Sequence, residues 1–324
     1  MRIIFLGTPE FSIPSLKKLV ESRHEVIAVV SQMDKPNGRG NKLKPSPVKE
    51  FALNNNLKLF QYEKISRDGV EDIKNLNPDI MVTAAYGQIL SQGIINIPRY
   101  GIINVHASIL PKYRGASPIQ SAILNGDERT GVTIMQTEAG LDTGDILNVV
   151  QTEIGENETA GELSERLAEL GAELLIKTLD QIDAGIVTRE KQQHADATIT
   201  RKISKDECYV NWNKSAKQVK CLILGTNPDP VARTMLNGEQ VKIYKAKISE
   251  YTSTNKAPGT IIDPSSSKLG VFVQCGQGVV EILEAQFPGG KVIPAKQLFG
   301  GRKFALGMQF EPVLFPGHTK EDIL

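Results

Sequence analysis

The sequence predicts an α/β protein in two parts: a doubly wound, mostly parallel sheet over the first two-thirds, then a smaller domain of short strands. Three observations carry that expectation. Up to residue 189, short β-branched apolar runs alternate with helical patterns, which is the rhythm of βαβ units. A polar stretch then breaks the pattern, and short strands between Gly, Pro and Ser turns follow. Charge divides at the same place. Residues 1–200 hold 21 Lys+Arg and 26 Asp+Glu, or −5; residues 201–324 hold 17 and 11, or +6, within a net charge of +1. A basic half joined to an acidic one suggests a polyanionic partner, although chance variation in solvated lysines gives the same count.

The first strand is Arg2–Gly7, and the runs 26–31, 79–86, 101–107 and 130–137 repeat its composition. Each is short and apolar enough to be buried on both faces of a parallel sheet. A helix is expected over 14–22, with Pro14 in its first turn and Leu16, Leu19 and Val20 on one face. The longest helix spans Ala160–Asp183. Thr159 and Glu162 form its capping box, Leu163, Leu167, Leu170, Leu174 and Ile182 its buried stripe, and Gly185 its stop. The polar, weakly periodic stretch 189–200 reads as linker, so one domain runs over 1–189 and another over 207–324, with 190–206 between them. In the second domain 241–248, 259–262, 270–275 and 279–285 are strands and 219–224 is the one helix, a spacing that suits a small β-barrel.

A chain of 324 residues, 40% hydrophobic and 23% charged, fits a globular protein of two domains. No apolar run approaches the ~20 residues that span a bilayer. Thr8-Pro9-Glu10 interrupts the apolar start, which is therefore a buried strand and not a signal peptide. Cys208, Cys221 and Cys275 are odd in number, far apart and without a C-x-x-C pair, the usage of reduced thiols in the cytoplasm. Gly7-Thr8-Pro9-Glu10 follows the first strand with a single glycine, and a carboxylate sits where a dinucleotide's pyrophosphate would need amides. The dinucleotide reading fails, and Gly7 is left to make the tight turn.

Chemistry concentrates in Asn104-Val105-His106 and in Leu141-Asp142-Thr143-Gly144-Asp145. Residues i and i+2 of a strand share a face, so Asn104 and His106 project side by side from a strand's C-terminal end, where open α/β sheets build their sites. An amide, an imidazole and a carboxylate converging at adjacent strand ends suit acyl transfer to an amine. One group orients and charges the imidazole, and two stabilise a tetrahedral oxyanion. A lone histidine in an apolar strand is more often a buried, hydrogen-bonded residue. Asn104 beside it and the turn after it reverse that for His106, while His24, His194 and His318 keep the reading of surface residues. Asp145 competes with Asp142 but starts a strand-like run and can simply cap a turn. No Cys, His and carboxylate cluster suggests a metal. Between Asp34 and Lys49 a long irregular loop carries Lys35, Arg39, Lys42, Lys44 and Lys49; ordinary αβ connections have about 2–6 residues, so the loop is either functional or a solvated insertion. Trp212, the only tryptophan, is a core anchor.

Asn104-x-His106, Ser108-Ile109-Leu110-Pro111 and Asp142-x-Gly144 resemble the motif set of the folate-dependent formyltransferases. The basic loop and the C-terminal domain narrow that resemblance, nearly end to end, to the methionyl-tRNA formyltransferases. The resemblance implies a Rossmann-like formyltransferase domain followed by an OB-like β-barrel. It implies transfer of a formyl group from 10-formyltetrahydrofolate to the α-amine of initiator methionyl-tRNA, releasing tetrahydrofolate and using no metal. Asn104, His106 and Asp142 would be catalytic. Ser108, Ile109, Leu110 and Pro111 would line the folate site, their extended peptide groups bonding the pterin. Arg39, Lys42 and Lys44 would meet the tRNA, with basic residues of 201–324 along its backbone. A cytoplasmic monomer without membrane attachment is expected. Three departures from the family pattern stand out: Met33 where proline is common, Ile109 where leucine is usual, and Asn227-Pro228-Asp229-Pro230 without the usual tryptophan. The alternatives are a formyltransferase for a nucleotide sugar or glycinamide ribonucleotide, against which the basic loop argues, and a tRNA-binding module on a retired enzyme fold, against which intact Asn104, His106 and Asp142 argue.

Overall fold

The computed structural model describes residues 1–37, 42–263, 270–301 and 303–311. The chain divides into two units, one of 1–118, 130–152 and 164–200, the other of 119–129, 153–163 and 201 onward. In the first, β1 (Arg2–Gly7) leads through α1 (Ile13–Glu21) to β2 (Glu25–Gln32). An antiparallel hairpin, β3 (Lys35–Asn37) with β4 (Lys42–Lys44), precedes α2 (Pro47–Asn54) and β5 (Leu59–Tyr62). Next come α3 (Ile65–Asp68), α4 (Val70–Leu76), β6 (Ile80–Ala84), α5 (Gln92–Ile95), β7 (Ile102–His106) and β8 (Arg114–Gly115). Helix α6 (Pro118–Leu124) falls mostly in the second unit, and β9 (Arg129–Gln136), β10 (Ile146–Glu153), α7 (Ala160–Asp183) and β11 (Ile199–Thr200) follow.

The large sheet has the order β10-β9-β7-β6-β1-β2-β5. From β1 the chain winds out to β2 and β5, then crosses to the other side of β1 for β6 and β7, and these four pairings are parallel. That is the expected doubly wound arrangement, with its switch point between β1 and β6. The run 130–137 is a buried strand as expected, but β9 lies antiparallel to β7, with Ile103 opposite Gln136 and His106 opposite Thr133. Burial on both faces leaves the same apolar run in either direction, so the pattern could not give the sense. Strand β5 was too short and too partly buried to register. Gly7 is not a turn glycine. A Cβ there would lie 2.7 Å from the Phe5 ring and 2.8 Å from Ser12, so the position is fixed by close packing.

Helix ends follow local chemistry. Glu162 N–H donates to Thr159 Oγ1 at 3.2 Å, and Glu162 Oε2 accepts from Thr159 N–H at 2.9 Å, completing the capping box of α7. Gly185, at φ +71°, closes the other end: its N–H reaches Ile182 O, and that of Ile186 reaches Gln181 O. The buried stripe runs through Leu167, Leu175 and Leu179, whereas Leu170 is only partly covered. In α1, Leu16 and Leu19 are buried and Val20 is exposed. His24, expected at the surface, is buried with Nε2 3.4 Å from Asp180, and burial pushes its pKa below the ordinary value.

The second unit contains α8 (Ala216–Gly225), β12 (Ala232–Leu236), β13 (Glu239–Ile248), β14 (Ile261–Ile262), β15 (Val271–Gln274), β16 (Val279–Gln286), β17 (Ile293–Pro294) and α9 (Ala295–Gly300). Its antiparallel sheet has the order β12-β13-β16-β15-β14, with β17 on β16. Register shifts between Ile243 and Ala246 bend β13. The four expected strands are present; β12, β17 and α9 add to them, so 219–224 is not the one helix. Trp212 anchors the core, stacked on Phe310 at 5.0 Å with Nε1–H donating to Thr234 Oγ1 at 3.0 Å. All three cysteines are free and buried, and burial pushes the Cys208 thiol up to about 11 and that of Cys275 to about 12. Little thiolate exists at neutral pH to react.

Glu162 also receives Lys245 Nζ at 2.5 Å. That ammonium first, and the Thr159 amide second, hold its carboxyl at about 2 against an ordinary 4.5. A carboxylate depressed on folding adds stability that is complete above the unfolded pKa and lost as pH falls through the folded one. Both side chains are partly solvated, so the contribution is screened. Glu162→Gln should melt below the parent at pH 6, and thermal scans should show the gap closing as pH falls from 4.5 toward 2.

Candidate active site

Strand β7 ends at the C-terminal edge of the parallel strands, and its alternation delivers Asn104 and His106 to one face there. Thr83, opposite Asn104 in β6, donates its hydroxyl to Asn104 Oδ1 at 2.9 Å. This fixes the amide with Nδ2 as the donor left for a ligand. His106 is 5% exposed, and its Nε2 lies 3.0 Å from Tyr113 O. A carbonyl can only accept, so Nε2 carries the proton and the ring is oriented by main chain. Nδ1 faces Asp142 Oδ2 at 3.7 Å, an ion-pair separation too long for a direct hydrogen bond. The structure therefore brings the three residues together, but Tyr113, not Asp142, sets the imidazole's orientation.

Asp142 does not arrive from an adjacent strand end. Because β9 runs against β7, it finishes beside Ile103, and the following loop must fold back to reach His106. Three features hold it there. Asp142 sits in the left-handed region at φ +50°, which Asp tolerates better than most residues. Its Oδ2 accepts from Gly115 N–H at 2.7 Å. Gly144 passes so close to Gln136 that any Cβ would collide with the Gln136 carbonyl oxygen, which accounts for the glycine of Asp142-x-Gly144. Asp145 bonds Gln136 N–H through its main-chain oxygen, a role in the loop's return.

Residues 108–111 form a turn, not an extended segment. Ser108 Oγ–H donates to Lys112 O at 2.6 Å, Thr133 Oγ1–H to Ser108 O at 2.7 Å and Leu110 N–H to Thr133 Oγ1 at 3.2 Å. Ile109 O accepts from Lys112 N–H, and Leu110 is buried. Several of the segment's peptide groups, those of Ser108, Ile109 and Leu110 among them, are thus bonded within the fold. Ile89, in the loop after β6, is 91% exposed, and Leu141, next to Asp142 in the chain, is 58% exposed.

In the basic loop, Arg39 lies outside the described residues, as do Arg302 and His318. Lys42 belongs to β4 by its main chain, and Lys44 is exposed. The described residues between Asp34 and Lys49 include the paired strands β3 and β4 and the first turn of α2. Lys49 is tied to Asp34 at 2.7 Å and to Gln61 at 2.9 Å, which makes it a structural cation. His194 is exposed, as expected. Among the described residues, no three His, Cys, Asp or Glu side chains gather where a metal could be held, and no helix is long and apolar enough to cross a membrane.

Sequence reasoning missed Thr83, Arg114 and Gln192. Arg114 stands three residues beyond the Ser108–Pro111 motif without a role, and Gln192 lies in the presumed linker with no local signal. Both are buried, joined by bonds of 3.0 and 2.7 Å from Arg114 Nε and Nη2 to Gln192 Oε1.

Residues 1–179 match the formyl transferase family, and 202–303 match the formyl transferase C-terminal domain. The chain is 47% identical to the methionyl-tRNA formyltransferase of Acetivibrio thermocellus over 95% of its length and 98% of that protein's. It is 46% identical to that of Alkaliphilus metalliredigens, with the same coverage. The fold is similar to that of HypX from Aquifex aeolicus, crystallised with tetrahydrofolic acid, at a TM-score of 0.65 and 18% identity over 93% of this chain and 47% of that one. Matched in both halves and aligned nearly end to end with its relatives, the chain belongs to the methionyl-tRNA formyltransferase family.

Proposed function

We propose that the chain transfers the formyl group of 10-formyltetrahydrofolate to the α-amine of methionine on initiator methionyl-tRNA, as a cytoplasmic monomer. The observation that carries this is the end-to-end similarity to methionyl-tRNA formyltransferases, which takes in both the sheet bearing Asn104, His106 and Asp142 and the basic C-terminal half. The family matches also support the division into a catalytic domain (1–189), linker (190–206) and C-terminal domain (207–324), the last with an OB-like curl of its bent antiparallel sheet.

Asn104 Nδ2 donates to the formyl oxygen as it gains charge, with Thr83 holding the amide. A proton on His106 Nδ1 stabilises the same charge and passes to the departing folate nitrogen. Asp142 favours that charge from an ion-pair distance of 3.7 Å and takes the amine's proton, directly or through water. Leu110 within the turn 108–111, with Ile89 and Leu141, gives the pterin apolar walls. Arg39, Lys42 and Lys44 meet the acceptor end. Of the C-terminal cations, Lys245 and Lys303 face Glu162 and Glu239, whereas Lys202, Lys205, Lys214 and Lys217 are exposed and suit a phosphate backbone.

Asn104→Ala, His106→Ala and Asp142→Ala should each lower single-turnover formylation by about a hundred- to a thousandfold, the usual cost of one such group, with circular dichroism unchanged. A wild-type rate removes that residue from the mechanism. Binding of initiator tRNA should weaken by roughly a hundredfold between about 50 and about 200 mM salt if four of these lysines touch phosphate; a flat titration would exclude them. Arg39→Lys should lower kcat/KM for initiator methionyl-tRNA by about tenfold or more, since a planar fork is lost, and leave folate binding intact. Equal, small losses on initiator and elongator methionyl-tRNA would make Arg39 a solvated charge.

A further inference from the structure

The end of the presumed linker is bonded along its length to the two segments that build the site. Gln192 is 5% exposed, and its Nε2–H group donates to Asp142 O at 2.9 Å and to Gly144 O at 2.7 Å. Its Oε1 accepts both bonds from Arg114. Arginine has donors only, so the amide cannot be turned the other way. Arg114 Nη2 also reaches His194 Nδ1 at 3.2 Å. Further on, Thr198 Oγ1 accepts from Tyr113 N–H at 2.7 Å and Thr198 O from Arg114 N–H at 2.8 Å, before β11 pairs with β8.

Each bond ends on something the candidate site uses. Tyr113 supplies the carbonyl that orients His106, Gly115 the N–H that holds the Asp142 carboxylate, and Gln192 clamps the main chain on both sides of Thr143. We infer that Gln192, braced by Arg114, is a positioning residue that sets the separation of Asp142 from His106. The inference rests on the roles proposed above for that pair. A loop that has to fold back against its strand has no ladder to place it, and a displacement of about 1 Å at reacting groups can cost on the order of a hundredfold in rate.

Gln192→Glu is the informative change. It keeps the side chain's size and gives Arg114 a stronger acceptor, but sets a carboxylate oxygen against two carbonyls that need a donor. It should keep the parent's thermal midpoint within a few degrees and lower kcat for formylation about ten- to a hundredfold, with KM for 10-formyltetrahydrofolate and methionyl-tRNA little changed. Gln192→Leu should do the same to kcat, and if it fails to fold Gln192→Glu carries the test alone. In the Asp142→Asn background, adding Gln192→Glu should change the rate by less than about twofold, because a residue that acts through Asp142 has nothing left to place. Losses that multiply instead would show that Gln192 acts elsewhere and overturn the inference. So would normal kcat in Gln192→Glu beside a collapsed Asp142→Asn, with the catalytic reading left standing. A wild-type rate in Asp142→Asn would overturn both.

Discussion

The site depends on carrying Asp142 back to a strand end from which its own strand runs away. In a wholly parallel sheet, neighbouring strand ends present their loops together at no conformational cost. Here β9 is antiparallel to β7, so the loop that follows it starts beside Ile103 and must travel the length of β7. Three devices meet that requirement: a left-handed Asp142, a glycine at 144 that lets the chain press against Gln136, and an amide cross-brace from Gln192. None is helical or sheet-like, and each restricts one freedom of the loop. Burying Arg114 behind the brace is costly for a charge unless its donors are met. The two bonds to Gln192 and the contact with His194 meet three of them.

A second consequence concerns the imidazole. A ring whose Nε2–H is bound to a carbonyl can gain or lose its other proton without turning, because the main chain keeps its grip in either state. The Tyr113 carbonyl thus orients His106 without engaging Nδ1, the atom to which the proposed proton exchange is assigned. It also explains why residues 108–115 must be rigid although they form a loop. Thr133, reaching across from β9, bonds Ser108 and Leu110, and Thr198 bonds Tyr113 and Arg114. The turn after β7 is thus a support for the ring.

What was legible in the sequence was what is decided locally. Arg2–Gly7, the pairing of Asn104 with His106 on one face, the capping box at Thr159 and Glu162 and the stop at Gly185 each depend on a few neighbouring residues, and each is in place. What escaped depends on partners far along the chain. The sense of β9 leaves no trace in a run buried on both faces. Gln192 sits in a polar stretch whose meaning comes from residues 50 and 78 positions away. His24 looked solvated because its neighbours are polar, yet α7 covers it. The bonds of Ser108 and Leu110 to Thr133 could not be read either, because nothing nearby in sequence reveals a partner 25 and 23 positions on.

The brace also stands at the point where the chain leaves the first unit. Nine residues after Gln192 comes Arg201, the first residue of the long C-terminal part of the second unit. Just before that exit, Thr200 O accepts from Ala116 N–H, Thr200 Oγ1 from Ser117 N–H at 3.1 Å, and Thr200 Oγ1–H donates to Arg114 O at 3.2 Å. Three bonds on one residue fix the end of the first unit against the segment that follows the turn after β7. A segment that looks like linker in composition is thus bonded, at Thr198 and Thr200, to the residues that follow the turn after β7.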